Sequence, residues 1–475
     1  MSRVLCAAIA CGLVSTAHAE PRADPTVGRG VFTGAATPGA TSLELNPAAL
    51  ALDSHQELVL SGMMLADHYS IHRQLLDLDT GALSAGPNVT ADEIGPGGSV
   101  EWVKPLHDVT FAMAVHSTPV ELFPRNQAAL QYHTLGVNER ITYAFTIGGG
   151  VKLFDELMFG LSLTAQRRQL HLRYARDTAL AAGKGPGGVT SDCNGTPCGI
   201  ENPYTAETYD VQVQSQLLST DALVANIGLL WIINPMTFLA LSYHSPPGLA
   251  VQNTLTGDMT VTRSPRDGGL VLHGASTVNL SEPASVDSEF RARLPRQLDL
   301  HVGFRWEDLS RLSAYDVRGY GSTFFTYNIP EWTERPRGFH DPFALWAGVD
   351  QVDKGETLRL GGRLGFETSS VDDDHTSPNA IDPTSFTLDA GAQIRLSANW
   401  VLQGTYGMQY YPGVTVTRSA FDPRFQTECV DSSYDYSTTA CTQVRLGYGI
   451  PTAAGDYHRY EQAIRFTLHY FFNDD

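Results

Sequence analysis

The sequence predicts a transmembrane antiparallel β-barrel of about fourteen strands, with an N-terminal hatch that plugs its lumen. Three observations predict this fold: a secretory signal, a two-residue alternation of apolar and polar residues along most of the chain, and connections that alternate between short and long. The expected organisation is a signal peptide over residues 1–19, a hatch over 20–53 and a barrel with long extracellular loops over 54–475.

Residues 1–19 have the features of a secretory signal. Arg3 supplies a positive start, an apolar run extends from Val4 to Val14, and the triplet Ala-His-Ala over residues 17–19 is a small-x-small cleavage site. The rest of the chain contains no apolar run of about 18 residues, so no membrane-spanning helix is expected. An exported chain of this kind, with 44 Gly, 19 Tyr and 20 Phe, is expected in the bacterial outer membrane as an integral protein.

Charge and cysteine content restrict the partners. The chain has 51 acidic and 32 basic residues, a net charge of -19, which argues against nucleic-acid binding. Cys193 and Cys198 lie in one polar segment, and Cys429 and Cys441 lie in another, which predicts two loop disulfides in an exported protein. The first spacing does not match a zinc site, so neither a metal nor a cofactor is expected.

The alternation is clearest in four stretches, 298–306, 358–366, 386–396 and 462–472. Each is about 9–11 residues long, which suits a tilted strand that crosses a bilayer. In a barrel the apolar face contacts lipid, and a charge there would cost roughly 2–4 kcal/mol at the midplane. A soluble sandwich would turn the same face inward. Alternation alone does not separate the two, but the export signal, strand number and loop lengths favour the barrel.

Loop lengths indicate which end of the barrel faces outward. Short polar turns are expected at 107–108, 154–156, 234–235, 307–308, 353–356 and 397–399. Longer segments are expected at about 73–98, 177–205, 263–285, 319–342, 369–384 and 418–456. Short periplasmic turns and long outer loops are typical of outer-membrane barrels. Aromatic residues near strand ends suggest interfacial girdles: Trp102, Trp231, Trp400, Tyr410, Tyr411, Tyr470 and Phe472.

The segment 20–53 does not alternate and is rich in small residues. Small residues allow backbone to pack inside a confined lumen, so we interpret this segment as a plug. Its runs Gly30–Ala36 and Asn46–Leu50 resemble the N-terminal hatch of the FadL/TodX family of outer-membrane transporters of hydrophobic compounds. Further stretches resemble the same family in the same order: 103–108, 294–298, 359–362, 382–383 and 388–391.

The resemblance implies a mechanism. Hydrophobic molecules would be captured among the outer loops, pass to a pocket inside the barrel and leave sideways through a gap at a kinked third strand. It also implies that the hatch turn lies near the ligand, with Asn46, Pro47, Ala48 and Leu50 as the candidate binding residues. The alternative is that Asn-Pro is only a turn signal.

Three further residues are candidates for this mechanism. Pro119 would set the wall kink, because proline removes a ladder donor, although the third strand could equally end there. Arg168 on the fifth strand and Arg318 near the outer end of the ninth are candidates for binding a ligand carboxylate. Lumenal arginines also pair with acidic side chains, and if these two are already paired, neutral hydrocarbons become the better prediction.

The predicted function is passive uptake of long-chain fatty acids or hydrocarbons, by binding in the lumen and lateral release through the wall. The expected partners are the hydrophobic ligand, outer-membrane lipid and lipopolysaccharide, and the barrel-assembly machinery, with the protein a monomer. The alternatives are a structural or adhesive barrel that acts through its loops, and a water-filled porin, which would not need a plug. Catalytic motifs such as Gly-x-Ser-x-Gly are absent, so no catalytic residue and no enzyme activity are expected. Residues 372–375 could bind calcium, but a solvated acidic loop is the favoured interpretation.

Overall fold

The computed structural model describes residues 31–76, 82–117, 136–177, 210–218, 222–249, 253–263, 265, 268–280, 283–312, 314–326, 332–336, 338–377, 381–419 and 450–472. In these ranges the strands are β1 (Glu57–Leu76), β2 (Leu83–Leu106), β3 (Val109–Ser117), β4 (Gly136–Lys152), β5 (Leu157–Asp177), β6 (Asp210–Leu218), β7 (Ala222–Asn234), β8 (Thr237–His244), β9 (Asn253–Thr262), β10 (Val271–Leu280), β11 (Ser285–Leu294), β12 (Leu298–Glu307), β13 (Ala314–Tyr320), β14 (Trp332–Pro336), β15 (Phe343–Val352), β16 (Leu358–Glu367), β17 (Ser385–Arg395), β18 (Trp400–Val416) and β19 (Ile450–Phe471). The helices are α1 (Ser42–Leu45), α2 (Ser322–Thr326) and three 3-10 helices, Pro47–Leu52, Leu309–Leu312 and Asp373–His375.

Fourteen of these strands form a closed antiparallel ring. They pair in the order β1-β2-β3-β4-β5-β7-β8-β11-β12-β15-β16-β17-β18-β19, and β19 pairs again with β1. The two ends of the ring meet, where the Phe472 N–H donates to the Gln56 carbonyl at 3.0 Å. Because closure pairs every strand on both sides, the ring presents no sheet edge to lipid. The predicted barrel and its strand number are therefore confirmed.

The remaining five strands extend one side of the barrel outward. β6 pairs with the outer part of β5, and the pairing continues in the order β6-β9-β10-β13-β14. We call these five strands the outer extension. β10 lies within a segment that the sequence analysis expected to be a long loop, 263–285.

The faces of the ring have the polarity of a membrane barrel. Large apolar side chains point outward and are exposed, among them Leu364 (63%), Phe466 (61%) and Leu388 (57%). Charged side chains point inward and are buried, among them Glu289 and Arg465. This arrangement is the reverse of a water-soluble sandwich and confirms the predicted lipid-facing side.

The alternation changes phase in the outer extension. On β9, Leu255 and Val261 point inward and are buried, whereas Thr254, Thr256 and Asp258 are exposed. An apolar interior with a polar exterior suits strands that stand in water. We call the outward-facing apolar side chains of the ring strands the apolar belt. The phase change therefore marks the outer limit of this belt.

The short connections lie at the end of the barrel where its two termini meet. Turns at 107–108, 153–156, 235–236, 353–357 and 397–399 agree with the prediction. The turn expected at 307–308 was wrong: the short turn is at 295–297, and Glu307 ends β12 at the opposite side. Tyr411, expected in an aromatic girdle, is 4% exposed and faces the lumen, because adjacent residues of a strand point to opposite faces. Among the described residues, no helix has the length and apolarity needed to cross a membrane.

The polarity of the two zones can be tested with a pair of arginine substitutions. Leu364→Arg places a charge on the lipid-facing side near the middle of β16 and is expected to destabilise the folded barrel by roughly 2–4 kcal/mol. Thr256→Arg on the exposed face of β9 is expected to change stability by less than about 0.5 kcal/mol. Urea titration of folding into lipid vesicles, followed by heat-modifiable gel mobility, measures both. Equal destabilisation would contradict the assignment of β9 to water.

Candidate functional site

The lumen is filled by a hatch, which in the described residues consists of 31–53. It contains α1 and the 3-10 helix Pro47–Leu52, and its apolar side chains are buried, among them Phe32, Leu43 and Leu50. Small residues dominate the contact with the wall: alanines 35, 36, 48 and 49 form one cluster with inward-facing wall residues. Close backbone packing inside the barrel is what the small-residue composition of this segment predicts.

Asn46 organises the turn between the two hatch helices. Its side chain is fully buried, and its Nδ2 donates to the carbonyl of Ala35 at 2.8 Å and to that of Leu229 on β7 at 3.1 Å. Its Oδ1 accepts from the Ala48 N–H at 3.1 Å, which caps the 3-10 helix that Pro47 begins. One amide group therefore joins two parts of the hatch to each other and to the wall.

The wall opposite this turn lacks side chains at three neighbouring positions. Gly150, Gly160 and Gly228 lie side by side in the register of β4, β5 and β7. A Cβ atom on Gly160 would lie 2.1 Å from the Ala48 nitrogen, and one on Gly228 would lie 1.8 Å from the Asn46 Oδ1. Glycine is required at these positions because the hatch backbone lies directly on the strands. We call these three residues the glycine row.

Glu289 on β11 holds a second part of the hatch. The backbone N–H groups of Ala35 and Ala36 donate to its carboxylate at 3.0 and 3.4 Å. A Cβ atom on Gly34 would overlap the same carboxylate, at 1.9 Å. Glu289 is 1% exposed, so these charge-assisted bonds form away from bulk water. The carboxylate binds the hatch loop much as an anion binds a backbone nest.

Further polar contacts along the inner face of the wall connect Glu289 to another hatch residue. His301 lies 3.4 Å from Glu289 and, through its other ring nitrogen, 2.9 Å from Asp350. Asp350 accepts two hydrogen bonds from Arg359, at 2.6 and 3.0 Å. The Arg359 guanidinium lies 4.9 Å from the ring centre of Phe32, a hatch residue that is 5% exposed. A chain of polar contacts therefore begins and ends on the hatch.

Glu44 on α1 joins the hatch to the third strand. Its carboxylate lies 2.5 Å from His116 Nδ1 on β3 and accepts from the Thr146 hydroxyl at 3.3 Å. The carbonyl of Glu44 accepts from Asn226 at 2.7 Å. The hatch is thus attached to β3 as well as to the opposite wall.

An apolar cluster lies inside the outer extension, beyond the polar lumen. Its members belong to β5, to the strands β6, β9, β10 and β13 of the outer extension, and to the segments that follow β12, β13, β14 and β16. We call it the outer apolar cluster, and it comprises Leu170, Leu172, Tyr174, Val211, Val213, Leu255, Met259, Val261, Leu272, Val278, Leu309, Leu312, Tyr315, Val317, Phe324, Phe339 and Val371. Its side chains are buried against one another at the end of the barrel opposite the short turns.

The structure places the residues predicted from the sequence in different regions. Asn46, Pro47, Ala48 and Leu50 are all buried in the hatch. Arg318 lies on the exposed face of β13, where it pairs with Asp316 at 3.0 Å.

The other predicted residues are not described. Arg168 lies in β5, opposite Ile141, but its side chain is outside the described part of the chain. Pro119, Cys193, Cys198, Cys429 and Cys441 also lie outside the described residues, as does the predicted signal peptide over 1–19.

Sequence reasoning missed the wall side of the site. The triplet 148–150 of consecutive glycines is visible in the sequence, but only strand register shows that Gly150 aligns with Gly160 and Gly228. Glu289 has no distinguishing sequence context beyond a charged residue at an inward position of a strand.

Comparison with known proteins identifies the family. Residues 25–440 match the model of the outer membrane protein transport protein family (OMPP1/FadL/TodX). The chain belongs to this family. No curated protein sequence matches it.

Solved structures share the fold of this FadL/TodX family member. A Pseudomonas aeruginosa FadL homologue is 14% identical, with a TM-score of 0.69 over 94% of this chain and 96% of that one. The P. putida toluene transporter TodX is 11% identical, with a TM-score of 0.59 over 92% and 95% of the two chains. The CymD monoaromatic hydrocarbon channel is 13% identical, with a TM-score of 0.57 over 94% and 96%. The family assignment establishes an outer-membrane transport protein.

The glycine row provides a matched test of hatch docking. Gly160→Ala places a methyl group against the hatch backbone, so it is expected to weaken docking by about 1–3 kcal/mol, the usual cost of overpacking. Gly62→Ala is the control, because Gly62 is exposed and a Cβ there would meet no atom within 4 Å. Planar-bilayer conductance and limited proteolysis of the hatch are expected to rise in the first variant only. Identical behaviour of the two variants would show that the row does not hold the hatch.

Proposed function

We propose that this outer-membrane protein takes up hydrophobic small molecules passively, by binding them in its lumen and releasing them sideways through the wall. The observation that carries the proposal is the outer apolar cluster, which lies outside a polar lumen that the hatch fills. An apolar molecule gains free energy on leaving water for such a surface, at roughly 25 cal/mol per Å² of buried apolar area. The names of the related structures, a toluene transporter and a monoaromatic hydrocarbon channel, support the same class of ligand.

The proposal requires an exit into the membrane rather than an aqueous pore. β3 is paired continuously with β2 from Val109 to Ser117 and with β4 from Val109 to His116. A lateral opening would therefore lie beyond Ser117, on the side of the predicted kink at Pro119. Glu44 joins the hatch to His116 at the end of this paired region. A shift of the hatch would therefore break or displace this contact with the third strand.

The structure favours a neutral hydrocarbon over a fatty acid as the ligand. Arg318, one of the two carboxylate candidates, is already paired with Asp316 and lies on an exposed face. A paired surface arginine offers little affinity to a ligand carboxylate. We therefore propose neutral aromatic or aliphatic compounds as the main substrates and long-chain fatty acids as the second class. The activity proposed is transport without catalysis.

The exposed apolar belt indicates which molecules surround the barrel. We propose that the belt contacts outer-membrane lipid and lipopolysaccharide and that the barrel acts as a monomer. Assembly by the barrel-assembly machinery is proposed to involve the aromatic residues Tyr470 and Phe472 at the end of β19.

The hatch distinguishes this function from that of a structural barrel or porin. Deletion of residues 20–48 removes α1, Phe32 and most of the Asn46 turn, so it is expected to turn a nearly closed barrel into a conducting pore. Planar-bilayer recordings of the purified mature protein and of the deletion measure the difference. Unchanged conductance, with a folded barrel on a gel, would contradict a lumenal plug.

The outer apolar cluster can be tested by a pair of adjacent substitutions on β9. Leu255→Asp places a carboxylate among buried apolar side chains, and Leu255 is 1% exposed. Uptake of toluene and of oleate by cells that depend on this protein is expected to fall at least tenfold, because an uncompensated charge in an apolar site costs several kcal/mol. Thr256→Asp points outward and is expected to leave uptake unchanged. Normal uptake by a folded Leu255→Asp barrel would rule out the cluster as the ligand path.

A further inference from the structure

A cavity of about 600 Å³ opens at the periplasmic mouth of the lumen, on the side opposite the glycine row. Its walls come from the inner faces of β11, β12, β15, β16, β17 and β18 and from three of the short turns. We call it the periplasmic vestibule. Its lining residues are Met236, Arg291, Arg293, Leu294, Gln297, Asp299, Val352, Glu356, Thr357, Arg359, Gln393, Arg395 and Val401.

The hatch residue Phe32 lies next to the vestibule. Phe32 packs against two wall glycines: a Cβ atom on Gly361 or on Gly391 would lie 2.9 Å from its ring. Arg359, which lines the vestibule, lies against the same ring. The vestibule opens among the short turns, at the periplasmic end of the barrel.

Positive charge exceeds negative charge in the lining. Four arginines face the vestibule, but only two carboxylates do, those of Asp299 and Glu356. One of the four, Arg359, is already paired with Asp350 behind the lining. Asp299 is shared, since it pairs with Arg291 and lies 4.0 Å from Arg293. Arginine guanidinium groups bind carboxylates through paired N–H donors, so this lining favours an anion.

Arg291 lines the vestibule and also has buried donors without a partner. Its side chain is 5% exposed, and its Nη2 donates to Asp299. Its Nε and Nη1 are buried and have no hydrogen-bond partner among the described residues. A buried donor without a partner costs free energy, but these two nitrogens have almost no surface that a ligand in the vestibule could reach. The charge that Arg291 adds to the lining is therefore what favours an anionic ligand here.

Apolar side chains complete the lining and define the rest of the ligand. Met236, Leu294, Val352 and Val401 border the same cavity as the four arginines. A cavity of this size is typical of small-molecule sites with a few oriented polar groups. We propose that the periplasmic vestibule binds an organic carboxylate with an apolar body, which enters from the periplasm and contacts Arg291 and Arg293. This site is separate from the path proposed for neutral compounds and does not depend on it.

Octanoate and octanamide form a matched pair of probes, because they differ only in the charged end group. Equilibrium dialysis of the full mature protein in dodecyl maltoside, corrected for binding to protein-free micelles, measures both affinities. Octanoate is expected to bind one saturable site at least tenfold more tightly than octanamide. Equal affinities would overturn the proposal, whatever the outcome of the uptake assays.

Two equally exposed arginines provide the variants. The side chains of Arg293 and Arg318 are each 47% exposed and near a carboxylate, but only Arg293 lines the vestibule. R293Q is expected to weaken octanoate binding about tenfold and to leave octanamide binding unchanged, whereas R318Q leaves both unchanged. R291Q is expected to weaken octanoate binding further than R293Q does. Arg291 is buried and its variant could fold poorly, whereas Arg293 lies at the exposed rim, so the R293Q result tests the site by itself. Equal losses in R293Q and R318Q would show non-specific charge attraction and overturn the site.

Discussion

The contact between the hatch backbone and the glycine row determines how this barrel is closed. A lumen enclosed by fourteen strands is wide enough to hold chain, but a plug of irregular backbone must satisfy its own N–H and C=O groups. Asn46 does this at the point of closest approach, by bonding to hatch and wall together. The approach is possible only because β4, β5 and β7 present glycine at adjacent positions.

Polar side chains of the lumen hold the hatch on its other side. Glu289 binds backbone N–H groups of the hatch loop, and Glu44 of the hatch binds His116 of the wall. These contacts are directional, and each contributes only about 1–3 kcal/mol, because in the unfolded chain the same groups form hydrogen bonds to water. The ring itself is held by continuous ladders of backbone bonds around the whole barrel. The polar contacts that attach the hatch are therefore separate from the backbone ladders that hold the wall.

The sequence alone was sufficient for the ring but not for what lies above and inside it. Period-two alternation in 298–306 and 462–472 identifies strands and their lipid side, because lipid tolerates no charge on that face. The same reasoning missed β10 and β14, which lie in the expected loops 263–285 and 319–342. On β10, as on β9, the phase is reversed because water replaces lipid. It also placed a turn at 307–308 rather than 295–297, since an inner end and an outer end of a strand carry the same turn-forming residues.

Inside the barrel, composition was enough to identify the hatch segment. The wall residues that hold the hatch could be identified only from the strand register, which the sequence does not show. Asn46 and Pro47 could be selected from the sequence because the run Asn46–Leu50 resembles the hatch of the FadL/TodX family. Gly160 and Glu289 could not, since their importance depends on which residues of the hatch lie opposite them, more than 100 positions away in the chain for Gly160 and about 250 for Glu289.

The division of the interior into an apolar outer part and a charged inner part places the hatch at a boundary. Tyr315 and Val317 belong to the outer apolar cluster, whereas Asp350 and Arg359 lie in the charged region next to Phe32. A neutral apolar molecule would lose favourable contacts if it moved from the first region to the second, because it would remove water from charged side chains without bonding to them. Its free energy would be lowered instead by moving sideways into hydrocarbon. The polarity of the interior, and not the hatch alone, therefore opposes passage of such a molecule to the periplasm and is consistent with the proposed exit through the wall.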